Sequence, residues 1–149
     1  MSETNSQEIT TDAFSQVRDD GNTTKRYLAH GELECTPSDR HLDGAECNEA
    51  YNKIFDGIMW LDHIYIDKRA CRAANSTGNT CTVSICNLSE EGATYHVPQL
   101  LDRLTMNVSW SCVIQQDMSG TWKDEQTSIF LYVKDDGWDL AGRLTVYRG

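Results

Sequence analysis

Positive charge, proline and long apolar runs are all scarce in this 149-residue chain, and each shortage removes a class of function. Thirteen basic residues stand against 23 acidic ones, a formal charge of −10. Proteins that ride on the phosphate backbone need clustered positive charge, and anionic headgroups attract basic segments. Neither nucleic acid nor a lipid surface is therefore an expected partner. The longest mostly apolar stretch, Ile54 to Ile66, is interrupted by Asp56, Asp62 and His63, so no membrane insertion is expected. Two prolines and 39% hydrophobic residues suit one folded domain rather than a low-complexity chain. There is no C-x-x-C pair, no Cys/His set at zinc-finger spacing, no H-E-x-x-H and no glycine-rich phosphate loop. No cofactor and no metal are expected.

What is present is cysteine. Cys35, Cys47, Cys71, Cys81, Cys86 and Cys112 form an even set in a small acidic chain, which predicts three disulfides and an oxidising compartment. The sequon N-x-S/T occurs at Asn22, Asn75, Asn87 and Asn107, where chance alone would give about one. Both signals point to the secretory pathway and to candidate glycosylation at those four asparagines. The chain opens MSETNSQEITTDAF, polar throughout, where a leader would carry an apolar run. Met1 is read as an added start residue on a chain whose leader has been removed.

Composition changes at a dibasic pair. Residues 2–24 are polar and acidic, with only Ile9, Phe14 and Val17 as large apolar groups, too few to offset the entropy of ordering. The stretch runs into Lys25-Arg26, the pattern cut by kexin-type processing proteases, and apolar residues become dense after it. The expected organisation is a disordered tail or pro-segment over 1–26 and one disulfide-stabilised domain over 27–149. A second pair, Lys68-Arg69, falls between folded segments, where a protease has less access.

Within the domain, helix and strand patterns alternate. Tyr27–Glu34 reads as a strand and Thr36-Pro37-Ser38-Asp39 as a turn. Cys47, Tyr51, Ile54, Phe55 and Ile58 form an apolar stripe at helical spacing. Asp43 would cap that helix, with Glu46 completing a capping box. Cys47 lies on the stripe and so would staple the helix to a sheet. His63–Asp67 and Thr80–Leu88 alternate as strands. On an unbroken strand Cys81 and Cys86 face opposite ways, ~16 Å apart, so they should not pair with each other. Pro98 opens a short helix through Leu104. Asn107–Gln116 and Ser128–Lys134 read as strands around a polar turn at Ser119-Gly120; Asp135-Asp136-Gly137 is a further turn, and Leu144–Arg148 a last strand. Together these predict an α+β fold: about four antiparallel strands packed by one or two helices and stapled by disulfides.

No catalytic constellation stands out. An even cysteine count leaves no thiol nucleophile. His30, His41, His63 and His96 are scattered, and His63 reads as a surface or satisfied interior histidine. The acidic pairs Asp19-Asp20, Glu90-Glu91 and Asp135-Asp136 sit in expected loops. Trp60, Trp110, Trp122 and Trp138 could make a sugar platform, though core and rim packing is the plainer reading. The expectation is a non-enzyme. The polar loop 72–80 and the turn 117–126 are candidate binding surfaces.

One family shares this layout. The segment Cys35-Thr36-Pro37 to Glu46-Cys47-Asn48, then Cys71, the strand TCTVSIC at Thr80–Cys86 and Tyr95-His96-Val97-Pro98 resemble the Leptosphaeria avirulence and suppressing (LARS) effectors over about residues 33–104. The resemblance implies a four-stranded antiparallel sheet crossed by a helix and fixed by disulfides. It implies secretion into the apoplast of a plant host, or beyond it into host cells, with no known catalysis. The partner it implies is a host protein, bound directly or through recognition by plant resistance proteins or masking of that recognition. Some members carry eight cysteines rather than six, so the pairing stays open. Cys47, Cys81, Cys112 and the helix at 98–106 also resemble necrosis-inducing effectors related to smut-fungus killer toxins. The readings from the chain alone are thus a secreted monomeric effector, a cytotoxic killer-type protein, or a small carbohydrate binder or enzyme.

Overall fold

In a computed structural model, residues 24–28, 31–58, 61–78, 80–135 and 145–148 are described. The tail over 1–23 with Asn22, and also His30, Trp60, Asp136-Gly137 and Trp138, lie outside the described residues. The helix read from the apolar stripe is α1 (Gly44–Phe55). Asp43 caps it, its carboxylate accepting from the Ala45 N–H at 2.8 Å. The capping box does not close. Glu46 instead accepts from the Thr80 hydroxyl at 3.1 Å, reaching out to the loop before the strand at Thr82–Asn87. The stripe residues Cys47, Tyr51, Ile54 and Phe55 are buried.

Strands β2 (Glu32–Pro37), β4 (Ala70–Asn75), β5 (Thr82–Asn87), β7 (Met118–Asp124), β8 (Ile129–Lys134) and β9 (Thr145–Arg148) form a sheet ordered β2-β7-β8-β5-β4-β9. All neighbours in it are antiparallel except β4 and β9, which run parallel. A second sheet of three strands is ordered β1 (Thr24–Arg26), β6 (Ala93–His96), β3 (His63–Ile66), with β1 parallel and β3 antiparallel to β6. The fold is α+β, mostly antiparallel and disulfide-stapled, with more strands than the four the sequence suggested. The strand expected over Tyr27–Glu34 lies later, at Glu32–Pro37, and takes in Thr36 and Pro37 that read as turn.

The largest departure is at Asn107–Gln116. Helix α2 (Val97–Asp102), opened by Pro98, runs straight into a π-helix, Arg103–Ile114. Valine, isoleucine and threonine favour strands by propensity, and strict alternation would put Val108, Trp110, Cys112 and Ile114 on one face. The buried set is instead Leu104, Val108, Ser109, Cys112 and Val113, while Trp110 and Ile114 are half exposed. Spacings of four and five suit a helix wider than the α form, and packing on β7 and β8 overrides the local preference. The residues read as a turn around Ser119-Gly120 become β7. Gly120 sits opposite Cys35 in the ladder, and a Cβ there would lie 2.7 Å from Cys112 Sγ, so only glycine lets the π-helix approach this closely.

Three disulfides join these layers: Cys35–Cys112, Cys47–Cys81 and Cys71–Cys86, with Cα separations of 5.3, 5.2 and 4.0 Å. They tie β2 to the π-helix, α1 to the start of β5, and β4 to β5 at directly opposed positions. Cys81 and Cys86 do not pair with each other, and Cys47 does fix the helix to the sheet. The main core lies between the six-stranded sheet and the helices, around Ile54, Phe55, Ile85, Leu104, Leu131 and Val133.

Candidate functional site

Chemistry concentrates on the small sheet, where the dibasic border meets the domain. Thr24, Lys25 and Arg26 pair in parallel register with Ala93, Thr94 and Tyr95. The Arg26 side chain is only 12% exposed. Its Nη1 donates to the Thr127 carbonyl at 2.9 Å, the Tyr95 hydroxyl at 3.1 Å and the Ser89 hydroxyl at 3.2 Å. Its Nη2 donates to Glu91 Oε2 at 3.4 Å, and the guanidinium stands 5.9 Å from the centre of the Tyr95 ring. A rigid fork with several donors suits such an array of oxygens better than a lysine ammonium does.

Each acceptor is itself held. The Tyr95 hydroxyl donates to the same Thr127 carbonyl at 2.8 Å. Burial pushes the Tyr95 phenol up to about 12, with Arg26 pulling the other way, so it stays a neutral donor and acceptor. The turn carrying Ser89 and Glu91 is organised by Asn87. Its amide nitrogen donates to the carbonyls of Ile66, Asp67 and Glu91. Its oxygen accepts from the Ser89 N–H at 3.0 Å and the Ser89 hydroxyl at 2.7 Å. Past the border, the Leu28 N–H donates to Gln99 Oε1 at 2.7 Å and the Leu28 carbonyl accepts from Gln99 Nε2 at 3.0 Å. Both sides of the Arg26–Tyr27 bond are therefore clamped.

Tyr27, between the clamps, completes a polar aromatic box. Its hydroxyl lies 3.0 Å from His63 Nε2, and the rings of Tyr27, His63 and His96 are mutually 5.3–5.5 Å apart. His63 and His96 are cross-strand partners on β3 and β6. Asp62 reaches His63 Nδ1 at 3.0 Å and His96 Nε2 at 3.4 Å. His96 Nδ1 is buried without a hydrogen-bond partner. A carboxylate, two imidazoles and a phenol in sequence can hold and relay protons. Among the described residues no group of three or more His, Cys, Asp or Glu is placed to hold a metal ion.

The other sequence-picked residues scatter. Asn75 is half-buried, its carbonyl accepting from Lys53 Nζ and its side-chain oxygen from the Thr82 hydroxyl. Asn87 is fully buried with its amide nitrogen saturated, so a glycan on that nitrogen is incompatible with this packing. Asn107 is half-buried on the π-helix. Of the two tryptophans described, Trp110 is exposed, while Trp122 is buried with Arg103 5.5 Å from the centre of its ring. They do not form one platform. Of the stretch 72–80, residues 72–75 belong to β4 and 76–78 turn away from it, whereas 118–124 of the stretch 117–126 form β7 rather than an open turn.

Two cavities open elsewhere. One of about 390 Å³ is lined by Gly31, Glu32, Lys123, Asp124, Glu125 and Gln126. The other, of about 350 Å³, lies between the end of β2, β7 and β8, with Ser119, Tyr132, Lys134 and Asp135 in its wall. Neither is lined by a histidine or a cysteine. Sequence reading missed the meeting of His63 with His96 and the structural role of Arg26. The first follows from strand register, which no local signal carries; the second was masked by the dibasic pattern. No protein-family model, curated protein or solved structure matches this chain, so its own residues carry the functional reading.

Proposed function

We propose that this chain is a secreted effector of a plant-pathogenic fungus, of the LARS-like kind its cysteine order resembles, and that it acts by binding a host protein rather than by catalysis. The observation that supports this reading most is the pairing of all six cysteines into three bridges that cross-link sheet, helix and π-helix. Such stapling persists where thiols are kept oxidised, outside the cytosol. It also holds a small domain rigid enough to present one surface in a protease-rich fluid. No helix of the described residues is long and apolar enough to cross a membrane.

The test has two parts. Protein secreted from a eukaryotic host should gain about 6 Da on reduction; no gain would remove the secretory premise. Purified protein infiltrated into leaves of a panel of plant cultivars should provoke or suppress a defence response in some, and reduced, alkylated protein should do neither. Equal responses to both forms, or growth arrest of fungal cells instead, would overturn the reading.

A further inference from the structure

The border strand is three residues long, yet it is held by a parallel backbone ladder, by an arginine with four oxygen partners and by the Gln99 clamp just beyond it. That is more recognition than a tail needs in order to leave a domain. We propose that the edge of β6, with Ser89, Glu91, Tyr95 and the Thr127 carbonyl, is a strand-addition site for an extended arginine-bearing segment, filled in cis by Thr24–Arg26. This goes beyond the effector reading and stands on geometry that does not depend on a plant host.

Backbone pairing along β6 supplies affinity that is indifferent to sequence, and the receptacle supplies the choice of side chain. Thr127 and Ser89 accept from one guanidinium nitrogen and Glu91 from the other, over the face of Tyr95. A lysine ammonium, a compact point charge without the planar fork, cannot span that array. The other edge of β6 is taken by β3, so departure of β1 frees one edge only. An exposed strand edge with a charge-reading pocket is a template for pairing with another chain.

The same contacts govern proteolysis. A dibasic-specific serine endoprotease hydrolyses the Arg26–Tyr27 bond with one water, leaving a carboxylate on Arg26 and an ammonium on Tyr27. To do so it must take the Arg26 side chain into its own pocket. Here that side chain is held inside, so cutting waits until β1 leaves, and cutting keeps the site open by turning a cis strand into a separate peptide. The cis strand competes at an effective concentration that a free peptide must match.

The full chain carries both tests. A Ser89→Ala/Tyr95→Phe variant leaves the Lys25-Arg26 recognition sequence untouched while removing two acceptors. Incubated natively with a kexin-type endoprotease and followed by intact mass, it should be cut after Arg26 at least tenfold faster than the unaltered chain. Equal rates for the folded chain, the variant and the reduced, unfolded chain would overturn the proposal. In the second test, an Arg26→Ala variant with its three disulfides intact should bind acetyl-Thr-Lys-Arg-amide saturably by calorimetry. The unaltered chain should not, and the citrulline analogue should bind at least tenfold more weakly. Absence of binding to the folded variant at millimolar peptide, or equal binding by both proteins, would overturn it. If Arg26→Ala fails to fold, the protease comparison decides alone.

Discussion

Replacing each disulfide in turn by two alanines separates two explanations of what the bridges do. If they act mainly by restricting the unfolded chain, their value follows the loop each one closes. The separations are 77 residues for Cys35–Cys112, 34 for Cys47–Cys81 and 15 for Cys71–Cys86. Loop-closure entropy then gives about 4.5, 3.8 and 3.0 kcal/mol at 25 °C. If local packing dominates, the order turns round. Cys35 is only half-buried, whereas Cys47, Cys81, Cys71, Cys86 and Cys112 are fully buried. The two inner pairs would each leave two sulfur-sized gaps, at about 1 kcal/mol apiece. The loop term spreads the series by about 1.5 kcal/mol, so it should prevail. Urea unfolding of the three pair variants at neutral pH is the assay. With a slope of about 1.5 kcal/mol/M, the Cys35/Cys112 variant should lose about 3 M in midpoint and the Cys71/Cys86 variant about 2 M. The Cys71/Cys86 variant falling furthest would refute the reasoning and make these bridges packing elements first.

Three further outcomes are expected. Gly120→Ala places a Cβ 2.7 Å from Cys112 Sγ and 2.9 Å from Val108, costing about 1–3 kcal/mol and visible as a lowered melting temperature with the disulfides intact. Asn87→Ala removes the donor shared by the Ile66, Asp67 and Glu91 carbonyls; it should cost about 2–4 kcal/mol, and glycopeptide mass mapping of the folded secreted protein should find Asn87 bare. The third concerns pH. Hydrogen bonding and charge from Asp117 raise His41 above its ordinary 6.5. The Leu42 N–H, then His41, lowers Asp117 below its ordinary 3.8. The histidine's contribution is complete below 6.5 and fades as pH rises through its folded value. The carboxylate's holds above 3.8 and fades as pH falls through its own. The loop bearing His41 is thus tethered most firmly between those limits, and Asp117→Asn should bring the His41 NMR titration back toward 6.5.

Local signals carried much of the fold. The stripe from Cys47 to Phe55, the cap at Asp43, the alternation of His63–Ile66 and Thr82–Asn87, and Pro98 at a helix start are all short-range patterns, and the structure follows them. The failures lie where a distant partner decides. Residues 107–116 alternate like a strand, but a bridge from Cys112 to Cys35 and the glycine surface of β7 draw them into a π-helix. Glu46 looked committed to its own helix and was claimed by Thr80 instead. The candidate site was legible only in part. Lys25-Arg26 marked the right border, but the pairing of β1 with β6 depends on residues 93–95 and on Thr127, about 70 and 101 positions away in sequence. No window on the sequence brings these together.

The placement of β8 has a consequence for the order of events during synthesis. Among the described residues it joins the β2-β7 pair to the β5-β4-β9 set in the large sheet, yet at Ile129–Lys134 it follows the last cysteine, Cys112. A chain emerging from its N-terminus therefore exposes all six thiols before the sheet that orders their carriers is complete. Cys71 and Cys86, opposed in neighbouring strands, can oxidise correctly at once. Cys35 and Cys112 are brought together across β7, whose Gly120 pairs with Cys35 and lies against Cys112, so oxidation of that pair before residue 124 has emerged is untemplated, and a disulfide isomerase would speed maturation.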